Sequence, residues 1–260
     1  RLSVRGPLVE TDIDGQIRAM NQAIDEKPAV NLLAAGDFYR LVPEVQRALA
    51  RGIPVATIDS FINSEDAVSK IGTDNLEVGR KCAQALLKWV RPGATVGVFS
   101  YIKGSSTAID RENGLDIQVE KIYRLLPTMY CNAESDLAYA QAKAVLAEHP
   151  ELAGMVALNE PTTVGVARAL QESGRAGNVA LIGVDNAFSV LKYIESGVVK
   201  ATVVQQPFNM GYLGVATARR IIDKRAVENR IDTGSVTIEK DNMFLQPNQK
   251  LLFPFYEALR

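Results

Sequence analysis

The sequence has only one histidine and two cysteines in 260 residues, which leaves little material for metal or nucleophilic chemistry. His149 lies in a predicted helix-end turn, and Cys82 and Cys131 are far apart, so the three residues lack the spacing of a zinc site. A Ser-His-Asp or Cys-His catalytic site would depend on His149, whose flanking residues indicate a surface turn. Cys82 falls on an apolar helix face and Cys131 at a strand end, which favours two unpaired, buried thiols over a disulfide. We therefore expect no metal, no cofactor and no catalytic residues.

The sequence also lacks an excess of charge and any long hydrophobic run. Its 29 basic and 30 acidic side chains give a formal net charge of −1. No cluster of lysine and arginine stands out, so nucleic-acid binding is not expected. No apolar stretch reaches the roughly 18–20 residues that cross a bilayer. No signal peptide is visible, but the sequence begins at Arg1 rather than at a methionine, so this absence leaves the compartment open.

Apolar, strand-like runs alternate with amphipathic segments along most of the chain. Runs such as residues 53–59, 95–101 and 179–185 are short and mostly apolar, and a segment of helical periodicity follows each of them. This pattern predicts parallel strands that helices cover on both faces. The βα units are too numerous for one small sheet, and a break near residues 70–75 separates two halves of the chain.

Several of these apolar runs end on a side chain that can form hydrogen bonds. The strongest examples are Asp59, Asn159, Asp185 and Gln205, and Tyr101 stands at the end of another run. Ligands of open α/β sheets bind beyond the carboxyl ends of the strands. The coincidence across several strands therefore predicts a shared polar cleft, although each residue alone also fits the simple beginning of a loop.

Six segments, in this order and at this spacing, resemble the type I periplasmic sugar-binding proteins of the ribose- and galactose-binding kind, which serve ABC importers. The resemblance covers about residues 3–250, and the segments that carry it are "ARGIPVATIDS", "IGTDNLEVGRKCAQAL", "GSSTAIDRENG", "MVALNEPTTVGVARAL", "LIGVDN" and "ATVVQQPFNMGYLGVATA".

The resemblance implies an α/β fold of two Rossmann-like lobes with parallel-dominated sheets, joined by a hinge of three segments, as in type I periplasmic binding proteins. The three crossings would lie near residues 72–75, residues 205–208 and residue 235. Lobe 1 would then contain residues 1–73 and 206–235, and lobe 2 would contain residues 74–205 and 236–260.

The resemblance also implies a function without a covalent step. The protein would bind a small polar solute, a monosaccharide or related polyol, in the cleft between the lobes and deliver it to a membrane ABC permease. It would be monomeric and periplasmic or otherwise extracytoplasmic, either secreted or lipid-anchored. The expected ligand-binding residues are Asp59, Arg111, Asn159, Asp185 and Gln205, with Ser60, Phe61, Tyr101 and Phe208 as secondary candidates.

These residue types suit a sugar because each hydroxyl both donates and accepts hydrogen bonds. A carboxylate such as Asp185 accepts from two adjacent hydroxyls, and an amide such as Gln205 donates and accepts at once. The guanidinium of Arg111 offers a planar set of donors and offsets nearby carboxylates.

A structural role remains open for every one of these residues. Asp59 would cap the following loop, Asn159 and Asp185 would cap the helices that follow them, and Arg111 would be a solvated helix residue. Gln205 would satisfy backbone groups at a crossing.

The sequence departs from the family pattern at three places. The family begins with a strand and a helix ahead of the strand expected here at "LSVRG". Because that first strand is central in lobe 1, we expect a gap in the sheet, left partly disordered or filled by other polypeptide, for which the apolar run 249–260 is one source. Ala133 stands where an aromatic residue commonly packs on the sugar, and Ser60 stands where arginine is frequent. Both differences argue against ribose itself.

Three other functions compete with import. A binding protein for a chemoreceptor or sensor kinase would carry the same ligand site. The ligand-sensing core of a LacI-type transcription regulator shares the fold, but the sequence shows no helix-turn-helix. An enzyme is the least favoured, because no phosphate-binding glycine loop, metal cluster or nucleophile–base pair is found.

Overall fold

The computed structural model describes residues 1–253. Internal contacts divide the chain into two units. Unit 1 contains residues 1–74, 104–107 and 206–234, and unit 2 contains residues 75–103, 108–205 and 235 onwards. Residues 104–107 belong to unit 1 in this division.

The helices and strands alternate along the chain. In chain order they are α1 (Ile13–Asp25), β1 (Asn31–Leu33), α2 (Val42–Ala50), β2 (Val55–Ile58), β3 (Lys70–Gly72), α3 (Asn75–Trp89), β4 (Thr95–Ser100), α4 (Ser106–Val119), β5 (Arg124–Leu125), β6 (Met129–Tyr130), α5 (Ser135–Glu148), β7 (Leu152–Ala157), α6 (Glu160–Glu172), β8 (Ala180–Val184), α7 (Phe188–Glu195), β9 (Val199–Gln205), α8 (Pro207–Ile222), β10 (Arg230–Asp232), β11 (Ser235–Glu239) and α9 (Gln246–Leu252).

Unit 1 contains a parallel sheet in the order β1-β2-β3-β10. Its apolar core packs α1 and α2 against β1 and β2, with Ile24, Leu41 and Val45 fully buried. The Asp12 carboxylate caps α1 by accepting a hydrogen bond from the Gly15 N–H at 2.8 Å. Helix α8 packs closely on the sheet, because a Cβ at Gly214 would lie 2.8 Å from the Ile58 side chain.

Two expectations for this unit are wrong. Residues 2–6 form no strand and are exposed, and Arg5 is paired with Glu26 at 2.6 Å. Within residues 1–253 the sheet has no internal gap, because β1 pairs directly with β2 and β2 pairs directly with β3. Strand β1 is at the edge of the described sheet.

Unit 2 contains a larger sheet in the order β11-β9-β8-β7-β4-β5, with β6 also paired to β4. Strand β11 is antiparallel to β9, and the other described pairs are parallel. Residues of α5, α6 and α7 form one apolar cluster with the sheet, and residues of α3 and α4 form another. Strand β4 is buried at every position, as its continuously apolar sequence predicts. The predicted α/β fold with parallel-dominated sheets is confirmed.

The end of the described chain also packs in unit 2. Leu252 of α9 is buried in the cluster of α5, α6 and α7, so this part of the run 249–260 does not enter the sheet of unit 1. The remainder of that run, residues 254–260, lies outside the described residues.

Cys82 and Cys131 are free and buried. Burial raises the pKa of each thiol to about 12. Within residues 1–253, no cluster of three or more histidine, cysteine, aspartate or glutamate side chains could hold a metal ion. No helix in that range has the length and apolar character needed to cross a membrane.

Candidate functional site

Asp185 follows β8 and has a backbone φ of +74°, in the left-handed region that few non-glycine residues adopt. Its Oδ1 accepts a hydrogen bond from Gln205 Nε2 at 2.8 Å, and its Oδ2 accepts one from the Glu160 N–H at 3.2 Å. Its side chain does not cap α7, which begins after Ala187 without a side-chain cap. The carboxylate lies instead at the N-terminus of α6, where the helix dipole favours negative charge.

Gln205 is the last residue of β9. Because its Nε2 donates to the Asp185 carboxylate, its amide oxygen points away from Asp185. That oxygen, Oε1, is buried and has no hydrogen-bond partner among the described residues. A buried acceptor without a partner costs about 1–3 kcal/mol, so Oε1 is suited to receive a hydroxyl donor.

Asn159 is the N-cap of α6, the structural role that the sequence analysis left open. Its Oδ1 accepts a hydrogen bond from the Thr162 N–H at 3.2 Å. Its Nδ2 donates to no other described residue. The cap therefore uses the acceptor of this buried amide and leaves its donor for a ligand oxygen.

Arg111 is 3% exposed, so it is not the solvated helix residue considered above. Its Nε donates to Asn75 Oδ1 at 2.8 Å and its Nη1 donates to the Leu158 carbonyl at 2.6 Å. The guanidinium carbon lies 5.5 Å from the centre of the Tyr101 ring. Because Leu158 directly precedes Asn159, Arg111 lies beside the junction of β7 and α6.

Glu160 is a member of this group that the sequence analysis missed. It is half-buried, and its backbone N–H contacts the Asp185 carboxylate. Burial and, second, the charge of Asp185 raise the pKa of the Glu160 carboxyl above its usual 4.5. The only available signal was its position directly after Asn159, which is equally typical of a helix first turn.

The residues predicted in unit 1 form a second group at the end of β2. Asp59 has a φ of +63°, and its Oδ2 accepts a hydrogen bond from Ser60 Oγ at 3.1 Å. The Phe61 N–H donates to Ser106 Oγ at 2.8 Å, and its ring lies 5.9 Å from the Arg230 guanidinium carbon. Phe208 is apart from this group in the sequence, in the first turn of α8, and its side chain is exposed.

Asp59 and Asp185 thus share a backbone conformation as well as a position at a strand end. Left-handed φ values at non-glycine residues cost roughly 1–3 kcal/mol and cluster at ligand sites. Each unit therefore holds a carboxylate in a strained turn at the edge where α/β sheets bind ligands.

The sequence matches a family described as periplasmic binding protein domain over residues 4–226. The chain belongs to this family. The match agrees with the resemblance that the sequence analysis identified, and it extends over both units.

Two curated members of the periplasmic binding protein family show how much of the chain is shared. The D-ribose/D-allose-binding protein of Pseudomonas aeruginosa is 29% identical over 230 residues, which cover 86% of this chain and 72% of that protein. The ribose import binding protein of Salmonella typhimurium is 28% identical over 185 residues, 71% of this chain and 62% of that protein. The chain therefore spans about two thirds of the length of these relatives.

Solved structures of family members show the same fold. An ABC transporter solute-binding protein from Agrobacterium vitis with bound D-fucose superposes with a TM-score of 0.94 at 31% identity, covering 97% of this chain and 89% of that one. A carbohydrate transporter solute-binding protein from Agrobacterium radiobacter in complex with D-arabinose gives a TM-score of 0.89 at 27% identity, with 94% and 85% covered. The predicted type I periplasmic binding protein fold is confirmed.

Proposed function

We propose that this protein binds a monosaccharide or related polyol outside the cytoplasm and delivers it to an ABC permease. The observation that carries the proposal is the pair of Asp185 and Gln205, in which a fixed amide holds a buried acceptor, Oε1, without a partner among the described residues. A ligand with hydroxyl groups fits this site, because a hydroxyl can donate a hydrogen bond to Gln205 Oε1 or to the Asp185 carboxylate.

Each polar residue of unit 2 has a part in this proposal. Each oxygen of Asp185 makes one internal hydrogen bond and can accept one more, so the carboxylate would take two sugar hydroxyls. Gln205 Oε1 would accept from a third hydroxyl. Asn159 Nδ2 and the buried guanidinium of Arg111 would donate to ring or hydroxyl oxygens. Hydrogen bonds are exchanged and no covalent bond is made.

We also propose Asp59, Ser60 and Phe61 of unit 1 as ligand residues. The Asp59 carboxylate would accept from hydroxyls, and the aromatic ring of Phe61 would pack on the apolar face of a sugar. Phe208 stays a secondary candidate. Tyr101 is 5% exposed and contacts the Arg111 guanidinium, which favours a supporting role for its ring over direct stacking on the sugar.

The proposed location, transport role and partner are based on the related proteins. The names of the related proteins include ribose import and D-allose-binding periplasmic proteins. These names support an extracytoplasmic location, an import role and an ABC permease as partner. We propose in addition that the protein acts as a monomer, with two functional lobes at about residues 1–73 with 206–235 and residues 74–205 with 236–260.

A thermal-shift screen tests the proposal directly. The panel is D-ribose, D-allose, D-fucose, D-arabinose, D-tagatose and D-fructose, the sugars named for relatives, with alditols and nucleosides added. A ligand at a hundredfold excess over its Kd stabilises the folded protein by about 2.7 kcal/mol, which raises the melting temperature by several degrees. We expect at least one sugar other than ribose to give this shift. A panel without any shift, repeated by calorimetry, would contradict the proposed function.

A further inference from the structure

We propose that Asn75 is a positioning residue for ligand binding, because it fixes the guanidinium of Arg111. Its effect on sugar affinity rests on the proposed function, whereas the positioning of Arg111 does not. Asn75 lies at the end of the crossing predicted near residues 72–75.

Asn75 is the first residue of α3 and is 3% exposed. Its Oδ1 accepts a hydrogen bond from Arg111 Nε, while the Leu158 carbonyl accepts one from Nη1. These two acceptors bind different nitrogens of one planar group, and its central carbon lies 5.5 Å from the centre of the Tyr101 ring. The guanidinium is therefore fixed in both position and plane before any ligand arrives.

The contact between α3 and α4 sets the distance that this bond spans. A Cβ at Gly79 would lie 2.2 Å from the Arg111 carbonyl oxygen, and a Cβ at Gly114 would lie 2.0 Å from the Leu76 carbonyl oxygen. The two helices thus touch through main-chain atoms, and only glycine permits so close an approach at either position.

Gly79 and Gly114 lie on the same helix faces as the two residues of the Asn75–Arg111 hydrogen bond. Asn75 and Gly79 are four residues apart on α3, and Arg111 and Gly114 are three residues apart on α4, so each pair occupies one helix face. The close crossing therefore places the Asn75 oxygen where the Arg111 Nε–H can reach it.

The decisive variants are Asn75→Ala, which removes the acceptor, and Asn75→Asp, which keeps an acceptor at the same place. Asn75→Ala removes the acceptor of the Arg111 Nε–H and, with it, one of the two hydrogen bonds that fix the guanidinium. We expect sugar affinity to fall about tenfold in Asn75→Ala and to stay within about threefold of the parent in Asn75→Asp. Asn242→Ala is the matched control, because the Asn242 side chain also makes hydrogen bonds within unit 2 but lies in the turn after β11. It should leave affinity unchanged.

Calorimetry with the strongest sugar of the panel should include a double-mutant cycle with Arg111→Met. If Asn75 acts through Arg111, Asn75→Ala should weaken binding by less than about twofold in the Arg111→Met background. An equal loss in both backgrounds, or no loss in the parent background, overturns the proposal.

A second measurement needs no sugar. The Arg111 Nε–H should give an NMR signal protected from solvent exchange in the parent and in Asn75→Asp, and lose that protection in Asn75→Ala. Unchanged protection in Asn75→Ala overturns the positioning role. Failure of every sugar to bind would contradict the proposed function, and the exchange data would still decide the role of Asn75.

Discussion

Replacement of Asp185 by asparagine separates a ligand-binding role from a structural one. Asparagine has nearly the same shape and tolerates left-handed φ values better than most residues, so the strained turn should persist. It keeps one acceptor oxygen and replaces the other by a donor. The variant therefore loses one internal hydrogen bond, to either Gln205 or Glu160, and one acceptor position for the sugar.

The two losses have different sizes and different readouts. One hydrogen bond to a charged group contributes about 1.5–3 kcal/mol, so sugar affinity should fall about tenfold to a hundredfold. The internal loss should lower stability by about 1–3 kcal/mol and the melting temperature by several degrees. Isothermal titration calorimetry measures the first effect and scanning calorimetry of the free protein measures the second.

The matched control is Asp136→Asn, on the exposed surface of α5. Asp136 pairs with Arg168 at 3.0 Å, and its side chain is 87% exposed, so its replacement should change neither quantity appreciably. Full affinity in Asp185→Asn together with a lower melting temperature would refute the ligand role and leave Asp185 as a cap of α6.

Three further predictions follow from burial and close packing. Because the pKa of Glu160 is raised above 4.5 in the folded state, its ionisation weakens the fold, so the parent should lose stability as pH rises from about 4.5 through the raised pKa. In Glu160→Gln the free energy of unfolding, measured by urea titration, should not show this decrease. If the parent and Glu160→Gln depend on pH in the same way, the expectation is wrong. Gly165→Ala should destabilise the protein by about 1–3 kcal/mol, since its Cβ would lie 2.2 Å from a backbone oxygen of α5; an unchanged denaturation midpoint would show that the helices can separate. Cys82 and Cys131, with pKa values raised to about 12 by burial, should resist an aromatic disulfide reagent at about pH 8 until urea unfolds the chain. Rapid labelling of the native protein would refute this.

The sheet of unit 2 was predictable because its strands carry a simple signal. Strands such as β4 and β8 are buried on both faces, so they read as continuous apolar runs that end abruptly on a polar residue. The same reasoning located Asp59 and Asp185. It could not show that both have left-handed backbones, since this conformation depends on hydrogen bonds to neighbouring strands.

Other parts of the site depend on contacts between distant segments. The Asn159 oxygen caps a helix, and Arg111 is held by Asn75 and Leu158, partners that no local pattern connects. The apolar residues of "LSVRG" favour a strand, yet residues 2–6 pair with no strand in the described chain. Strand propensity without a pairing partner does not form a strand.

The direct meeting of α3 and α4 limits how this protein can change over evolutionary time. Where side chains separate two helices, a series of small substitutions can shift one helix by fractions of an ångström. At Gly79 and Gly114 the separation is set by main-chain atoms, so even the single methyl group of alanine at either position would force the two helices apart. Ser60 and Ala133, where the sequence departs from the family pattern, are therefore the positions to compare first among related proteins.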